Sequence, residues 1–270
     1  MDSSKLRTAL HKGQIVYGTL ITSPSPASID AVLGMGLDFI FIDTEHIVID
    51  RMLVSWMCHG YGGVGLPVLV RIPSADPVEA HRVMDGGAHG VIVPYVETAE
   101  QAMQLRGAIR FRPLKGERLA SALRNEDSLG TDLRSYLELR NRNMLFIINI
   151  ESLPAVSRID EILAVPGLDA VLIGPHDLSC SLGVPEQYSN PKFESTVDFI
   201  IQKARSHGIG AGIHWQGKPE RIERWFSLGL NLVIYSSDIS SMSGNISEDF
   251  LSIRRASNIA ACGQSANPSK

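Results

Sequence analysis

Short apolar runs alternate with longer amphipathic stretches along almost the whole chain. Eight of these runs read as strands: Ile15–Leu20, Phe39–Asp43, Pro67–Arg71, Gly90–Pro94, Leu145–Ile150, Ala170–Ile173, Gly210–Ile213 and Leu232–Tyr235. Most are continuously apolar rather than alternating, the pattern of parallel strands buried on both faces. Between most of them lies one segment of helical period, opened by ordinary start signals. Ser25-Pro26 precedes Ala27–Met35, Asp76-Pro77 precedes Val78–Asp85, and Thr98 with Glu100 precedes Gln101–Arg110. Eight βα repeats without a compositional break predict a closed (β/α)8 TIM barrel rather than an open sheet.

The chain has 270 residues, 44% hydrophobic and 20% charged, enough for one large core. The pattern predicts a single barrel domain over 1–261, with a last helix at Ser247–Ala261 and a frayed tail at Cys262–Lys270. The stretch Phe111–Asn143 is the exception. It is long, carries Arg112, Lys115, Arg118 and Arg124, and then shows a helical pattern at Leu129–Asn141. Read as an insertion after the fourth strand, it is expected at the catalytic end, as a lid or an anion-binding loop.

Charge and cysteine content narrow the function classes. The net charge is −4 and no basic block occurs, so a nucleic-acid partner is not expected. Three scattered cysteines fit neither a disulfide framework nor a zinc cage. No apolar run is long enough to cross a bilayer, and the expected location is the cytoplasm.

In a parallel barrel the C-terminal strand ends converge on one mouth, so polar residues there come under first suspicion. The second run ends in Asp43-Thr44-Glu45-His46, the third in Arg71, the fifth in Glu151 and the sixth in Gly174-Pro175-His176-Asp177. Glu151 and Asp177 follow adjacent strands. Two neighbouring carboxylates with open positions suit an oxygen-preferring divalent ion that keeps waters and accepts substrate oxygens, Mg²⁺ first, Mn²⁺ or Co²⁺ as alternatives. Such an ion would polarise the carbonyl of a 2-oxo acid while Arg71 holds the same oxygen as it becomes an enolate. His46, oriented by Asp43, would move the proton.

Taken singly, each residue has a plainer reading: a helix N-cap for Asp177, a turn hydrogen bond for Asp43 and His46, a structural ion pair for Arg71. Their joint occurrence at four strand ends favours a site. His89 and His207 read as surface residues, His176 and His214 as further substrate contacts, and Cys180 as a small packed residue. Gly60–Gly65 lacks the strand–glycine–helix order of a nucleotide loop.

The segments Phe41-Ile42-Asp43-Thr44-Glu45-His46, Val70-Arg71, Val93-Pro94, Ile150-Glu151 and Ile173-Gly174-Pro175-His176-Asp177-Leu178-Ser179 resemble the HpcH/HpaI aldolase (citrate lyase β-like) family. The resemblance runs in register from about residue 13 to about residue 255. It implies a class II, metal-dependent pyruvate aldolase on a (β/α)8 barrel, forming a hexamer whose last helix packs on a neighbouring subunit. By position it makes Glu151 and Asp177 metal ligands, His46 with Asp43 the base dyad, and Arg71 the enolate-stabilising arginine. Asn149, Gly174, Pro175 and His176 become substrate contacts. The arginine–glycine step that receives the substrate carboxylate in the family reads here Gly116-Glu117-Arg118-Leu119, leaving Arg118 for that role. Phe111-Arg112-Pro113 is similar to the macrophomate synthase branch, which has a histidine where Tyr95 aligns.

The expected activity is therefore a carbon–carbon lyase forming a pyruvate enolate, by retro-aldol cleavage of a 4-hydroxy-2-oxo acid or decarboxylation of oxaloacetate. The alternatives are a biosynthetic bond-forming enzyme of the macrophomate synthase type, a lyase of acyl-CoA thioesters, and a barrel without catalysis.

Overall fold

The computed structural model describes residues 1–265, with side chains described to residue 255. Eight parallel strands close into one barrel in chain order. They are β1 Val16–Leu20, β2 Phe39–Asp43, β3 Val68–Arg71, β4 Gly90–Val93, β5 Leu145–Ile150, β6 Ala170–Ile173, β7 Gly210–Trp215 and β8 Leu232–Ser237. β1 pairs with β8 to shut the ring. Most limits lie within one residue of those expected from sequence. β7 and β8 run two residues further, which carries His214 into the wall of the mouth.

Side-chain period two divides each strand between two cores. Phe39, Phe41, Leu69, Leu145, Ile147 and Leu172 fill the interior, while Ile40, Ile42, Val68 and Val70 pack outward under the Arg51–Gly63 helix. Ile148, Ile150, Val171 and Ile173 belong to the outer core under the remaining helices. Gly18 is required by this packing, because a Cβ there would stand 2.4 Å from the Phe39 ring.

The N-terminal end of the barrel is plugged by helix Ser3–His11, whose Leu6 and Leu10 join the interior core. Beneath it Asp169, fully buried ahead of β6, accepts from Arg7 Nε at 2.7 Å and from the Phe146 amide at 2.8 Å, lies 2.9 Å from His11 Nε2 and pairs with Arg110. Burial alone would raise its pKa, but these donors outweigh it and hold the carboxyl below the usual range.

The insertion is not at the catalytic end. Helix Ala99–Arg110 first returns the chain to the floor, where Arg110 donates to the carbonyls of Met144 and Gly167, just ahead of β5 and β6. Only then come helices Gly116–Arg124 and Thr131–Asn141, with their own small core of Phe111, Ala122, Leu129 and Leu137. The insertion is thus an αβ connection, the end of a barrel that supports stability rather than chemistry.

Three smaller expectations change. The last helix spans Asp238–Ser265 and so runs through residues placed in the tail; residues 266–270 lie outside the described residues. His89 is half-buried rather than on the surface, its Nδ1 taking the Val68 amide at 3.2 Å, and burial lowers its pKa. Cys180 is exposed rather than packed. Among the described residues no helix is long and apolar enough to cross a membrane.

Candidate active site

A cavity of about 630 Å³ opens at the C-terminal strand ends, lined by Asp43, His46, Arg71, Gly174, Asp177 and His214 among others. A depression of similar volume over Met52, Trp56 and His59, on the outer face of the Arg51–Gly63 helix, has no comparable convergence of charged groups.

The register that places Asp43 beside Arg71 across β2 and β3 sets the first contact. Arg71 donates from Nε to Asp43 Oδ1 at 2.9 Å and from Nη2 to Oδ2 at 2.6 Å, a bidentate pair buried in the wall. Burial pushes Asp43 up, yet this pair and the Glu45 amide outweigh it and hold the carboxyl low. The third Arg71 nitrogen, Nη1, stands 3.1 Å from Glu45 Oε2, an ion pair without a hydrogen bond. Burial raises the Glu45 pKa against the pull of Arg71, and the charges of Asp43 and Asp177 add to it.

This arrangement corrects the expected Asp43–His46 dyad. Among the described residues no hydrogen bond or ion pair joins the two: the Asp43 oxygens accept from Arg71 and the Glu45 amide, and His46 acts on Asp43 through its charge alone. The carboxylate that faces His46 is Glu45, at 3.6 Å from Nε2, and the imidazole is exposed at the mouth.

Asn149 and Glu151 sit two residues apart on β5 and its end, so both point inward. Glu151 Oε1 accepts from the Tyr95 amide at 2.8 Å and Oε2 from Asn149 Nδ2 at 2.9 Å, while Asn149 Oδ1 is buried without a partner. Tyr95 holds a left-handed φ of 49°, uncommon for a non-glycine residue, and this conformation presents its amide to Glu151. A Cβ on Gly174 would stand 2.4 Å from Glu151 Oε2, so glycine there makes room for the carboxylate. No protein cation forms an ion pair with Glu151 among the described residues. Burial pushes its pKa up to about 7 despite the two donors, and Asp177 and Glu45 add to the rise.

Asp177 lies in the first turn of helix Pro175–Ser181, whose N-cap is Gly174, so it does not cap that helix and its carboxylate belongs to the cavity lining. The Tyr95 phenol is held up by burial and then by the charges of Asp177, Glu151 and Glu45. His176 is exposed at the rim with Glu186 3.5 Å from its Nδ1, and Pro175 lines the same rim.

Arg118 does not reach the mouth. It lies on the insertion, donating to the Leu129 carbonyl at 3.4 Å, because the helix before the insertion has carried the chain to the floor. Two mouth residues carry more than their sequence reading assigned. Glu45, two residues beyond Asp43, shares its face; His214 lines the cavity with Nε2 buried and unpartnered, against Phe41 edge-on at 5.4 Å. Burial and the Arg71 charge lower the His214 pKa to about 4, so the ring is neutral near neutral pH.

Residues 17–220 match the HpcH/HpaI aldolase/citrate lyase family. The 5-keto-4-deoxy-D-glucarate aldolase of Salmonella paratyphi C is 31% identical over 240 residues, covering 88% of this chain and 92% of its own. The HpcH/HpaI aldolase of Desulfitobacterium hafniense superposes with a TM-score of 0.80 at 26% identity, over 92% of this chain and 96% of that one. Macrophomate synthase shares the fold, with a TM-score of 0.76 at 22% identity over 97% and 91% of the two chains.

Proposed function

Because the chain belongs to the HpcH/HpaI aldolase/citrate lyase family and is a carbon–carbon lyase, we propose that it cleaves a 4-hydroxy-2-oxo acid through the enolate of pyruvate, with the help of one divalent ion. The observation that carries this is Glu151: a buried carboxylate with its pKa pushed up to about 7, lodged against Gly174, near Asp177 and in no ion pair with a protein cation among the described residues. Such a group is incomplete until a cation arrives.

Glu151 and Asp177 would hold that ion, and the two-carboxylate set, with an orphaned Asn149 oxygen beside it, fits Mg²⁺ better than a closed zinc site; Mn²⁺ or Co²⁺ would serve. When bound, the ion supplies Lewis acidity at the 2-oxo oxygen. Arg71, kept rigid by Asp43, donates to the oxygen that gains negative charge as the bond between C3 and C4 breaks. His46 takes the proton of the 4-hydroxyl, so that the electron pair of that bond passes to C3 and the aldehyde departs. The same imidazole, faced by Glu45, then returns the proton to C3 and completes pyruvate. Asn149, Tyr95, Gly174, Pro175 and His176 shape the substrate side.

The Salmonella relative, named for a 5-keto-4-deoxy-D-glucarate substrate, supports an acid of the sugar-acid class. Decarboxylation of oxaloacetate would deliver the same enolate. Helix Asp238–Ser265 leaves Ile239, Met242, Ile246, Phe250 and Ile253 exposed at spacings of three and four, which favours packing on a second copy in a homo-oligomer, a hexamer as the resemblance implies. The reading includes a cytoplasmic location.

The deciding experiment is exchange of the pyruvate methyl protons in D₂O, followed by NMR with Mg²⁺ or Mn²⁺ and an EDTA control. Metal-dependent exchange is expected. Its absence in folded, metal-loaded protein would remove the enolate and move the reading toward thioester cleavage or a barrel without catalysis.

A further inference from the structure

The floor of the barrel holds charged side chains that the chemistry at the mouth does not use. Between helix Ala99–Arg110 and the insertion lies a cavity of about 250 Å³. Five guanidinium groups line it, those of Arg7, Arg106, Arg110, Arg134 and Arg142, against the carboxylates of Glu126 and Glu138. Arg7 and Arg110 are committed to Asp169.

The other three are not fully used. The Arg106 side chain is 8% exposed; its Nη2 reaches Glu126 at 2.7 Å, but Nε and Nη1 are buried without an acceptor. The ring of Phe111, 4.7 Å from the guanidinium carbon, holds it in place. Arg134 bonds through Nη2 to Asp127 and to the Glu126 carbonyl, and its Nε is buried without an acceptor. Arg142 is exposed, and its side chain makes no hydrogen bond or ion pair among the described residues. Buried donors without acceptors are rare, and here they stand in the wall of an arginine-lined cavity.

We propose that this cavity binds a small dianion, a phosphate monoester or a dicarboxylate of a few carbons. Arg106 supplies the buried fork, and Arg134 and Arg142 close on the ligand from the insertion. A planar guanidinium matches either oxyanion through paired N–H bonds. The volume suits a ligand smaller than a nucleotide. Glu126 and Glu138 leave a modest positive excess, suited to two negative charges rather than many. The site lies at the opposite end of the barrel from the mouth and stands whether or not the proposed reaction holds.

The test is calorimetric titration of the full chain in EDTA with inorganic phosphate and, separately, with malonate. Saturable binding of either is expected, and which one binds separates phosphate from dicarboxylate. Arg142→Ala, at an exposed side chain with no hydrogen bond or ion pair among the described residues, should weaken binding by about threefold and Arg106→Gln by about tenfold or more. If Arg106→Gln does not fold, Arg142→Glu carries the test and should abolish binding. No saturable binding of either anion, or binding unchanged in these variants, overturns the site. Binding lost in Arg71→Ala and kept in Arg106→Gln also overturns it, by placing the anion at the mouth.

Discussion

Two buried acids sit at opposite ends of the barrel and are treated in opposite ways. At the floor, Asp169 is met by two arginines, a histidine and a backbone amide, and its carboxyl is held below the usual range. At the mouth, Glu151 is equally buried but receives only an amide N–H and a carboxamide, and its pKa is pushed up to about 7. Desolvation is the largest influence on both; it is outweighed at Asp169, where several donors meet the carboxylate, and prevails at Glu151, where no ion pair opposes it among the described residues. Asp169 is electrostatically compensated, whereas the mouth leaves a place for a positive charge and for substrate oxygens.

Substitution should separate the two ends most sharply. Asp177→Asn is expected to lower kcat by about 10³-fold or more, since a Lewis acid supplies several kcal/mol of transition-state stabilisation, while circular dichroism and Tm stay near wild type. Asp169→Asn should do the reverse. It leaves Arg7 and Arg110 sharing a neutral partner, at a cost on the order of 3–5 kcal/mol and a drop in Tm of about 10 °C. A stable Asp169→Asn, or an unstable Asp177→Asn, would break the comparison. Arg71→Ala is predicted to show both effects, losing turnover and also exposing the buried Asp43 carboxylate to an unpaired state; retained activity in a rate assay would remove Arg71 from the chemistry.

The contrast also shows what residue order carries. Strand ends were legible because continuous apolar runs stop at polar residues, so Asp43, Arg71, Glu151 and Asp177 could be named as neighbours around one rim. Which of them touch was not legible. The Asp43–Arg71 pair depends on the register of β2 against β3, and that register displaces the simpler expectation of Asp43 bonded to His46. Position along the chain misled at Arg118, since one intervening helix is enough to move an insertion from the mouth to the floor. His214 entered the wall because β7 runs beyond its apolar residues, carried by pairing with β8 that extends to Trp215 and Tyr235.

A finer test concerns the space for Glu151 rather than its charge. Gly174→Ala inserts a methyl where the Glu151 oxygen lies 2.4 Å away, so the carboxylate must turn from its present donors. The fold should survive, because the position lies in a loop at the mouth, but divalent-ion affinity measured by calorimetry should fall by about 10–100-fold. Unchanged affinity would mean that the ion is held elsewhere.

The smallest expected effect is the dependence of stability on pH. The folded chain keeps a proton on Glu151 up to about 7, whereas the unfolded chain releases it near the ordinary value of 4.5. The stabilisation from this raised pKa is therefore complete below about 4.5 and is lost as pH rises through about 7. Glu151→Gln removes the dependence. In the metal-free state its Tm should draw level with wild type at low pH and exceed it by a few degrees at about pH 8. His214 runs the other way, losing stability as pH falls from 6.5 toward about 4, but it is present in both proteins and cancels in the difference. Saturating Mg²⁺ should then raise the Tm of wild type at high pH and leave Glu151→Gln nearly unmoved, because only the ionised carboxylate gains from a cation. A difference that stays flat across this range would mean that burial does not govern Glu151, and the case for a cation drawn to it would lose its physical basis.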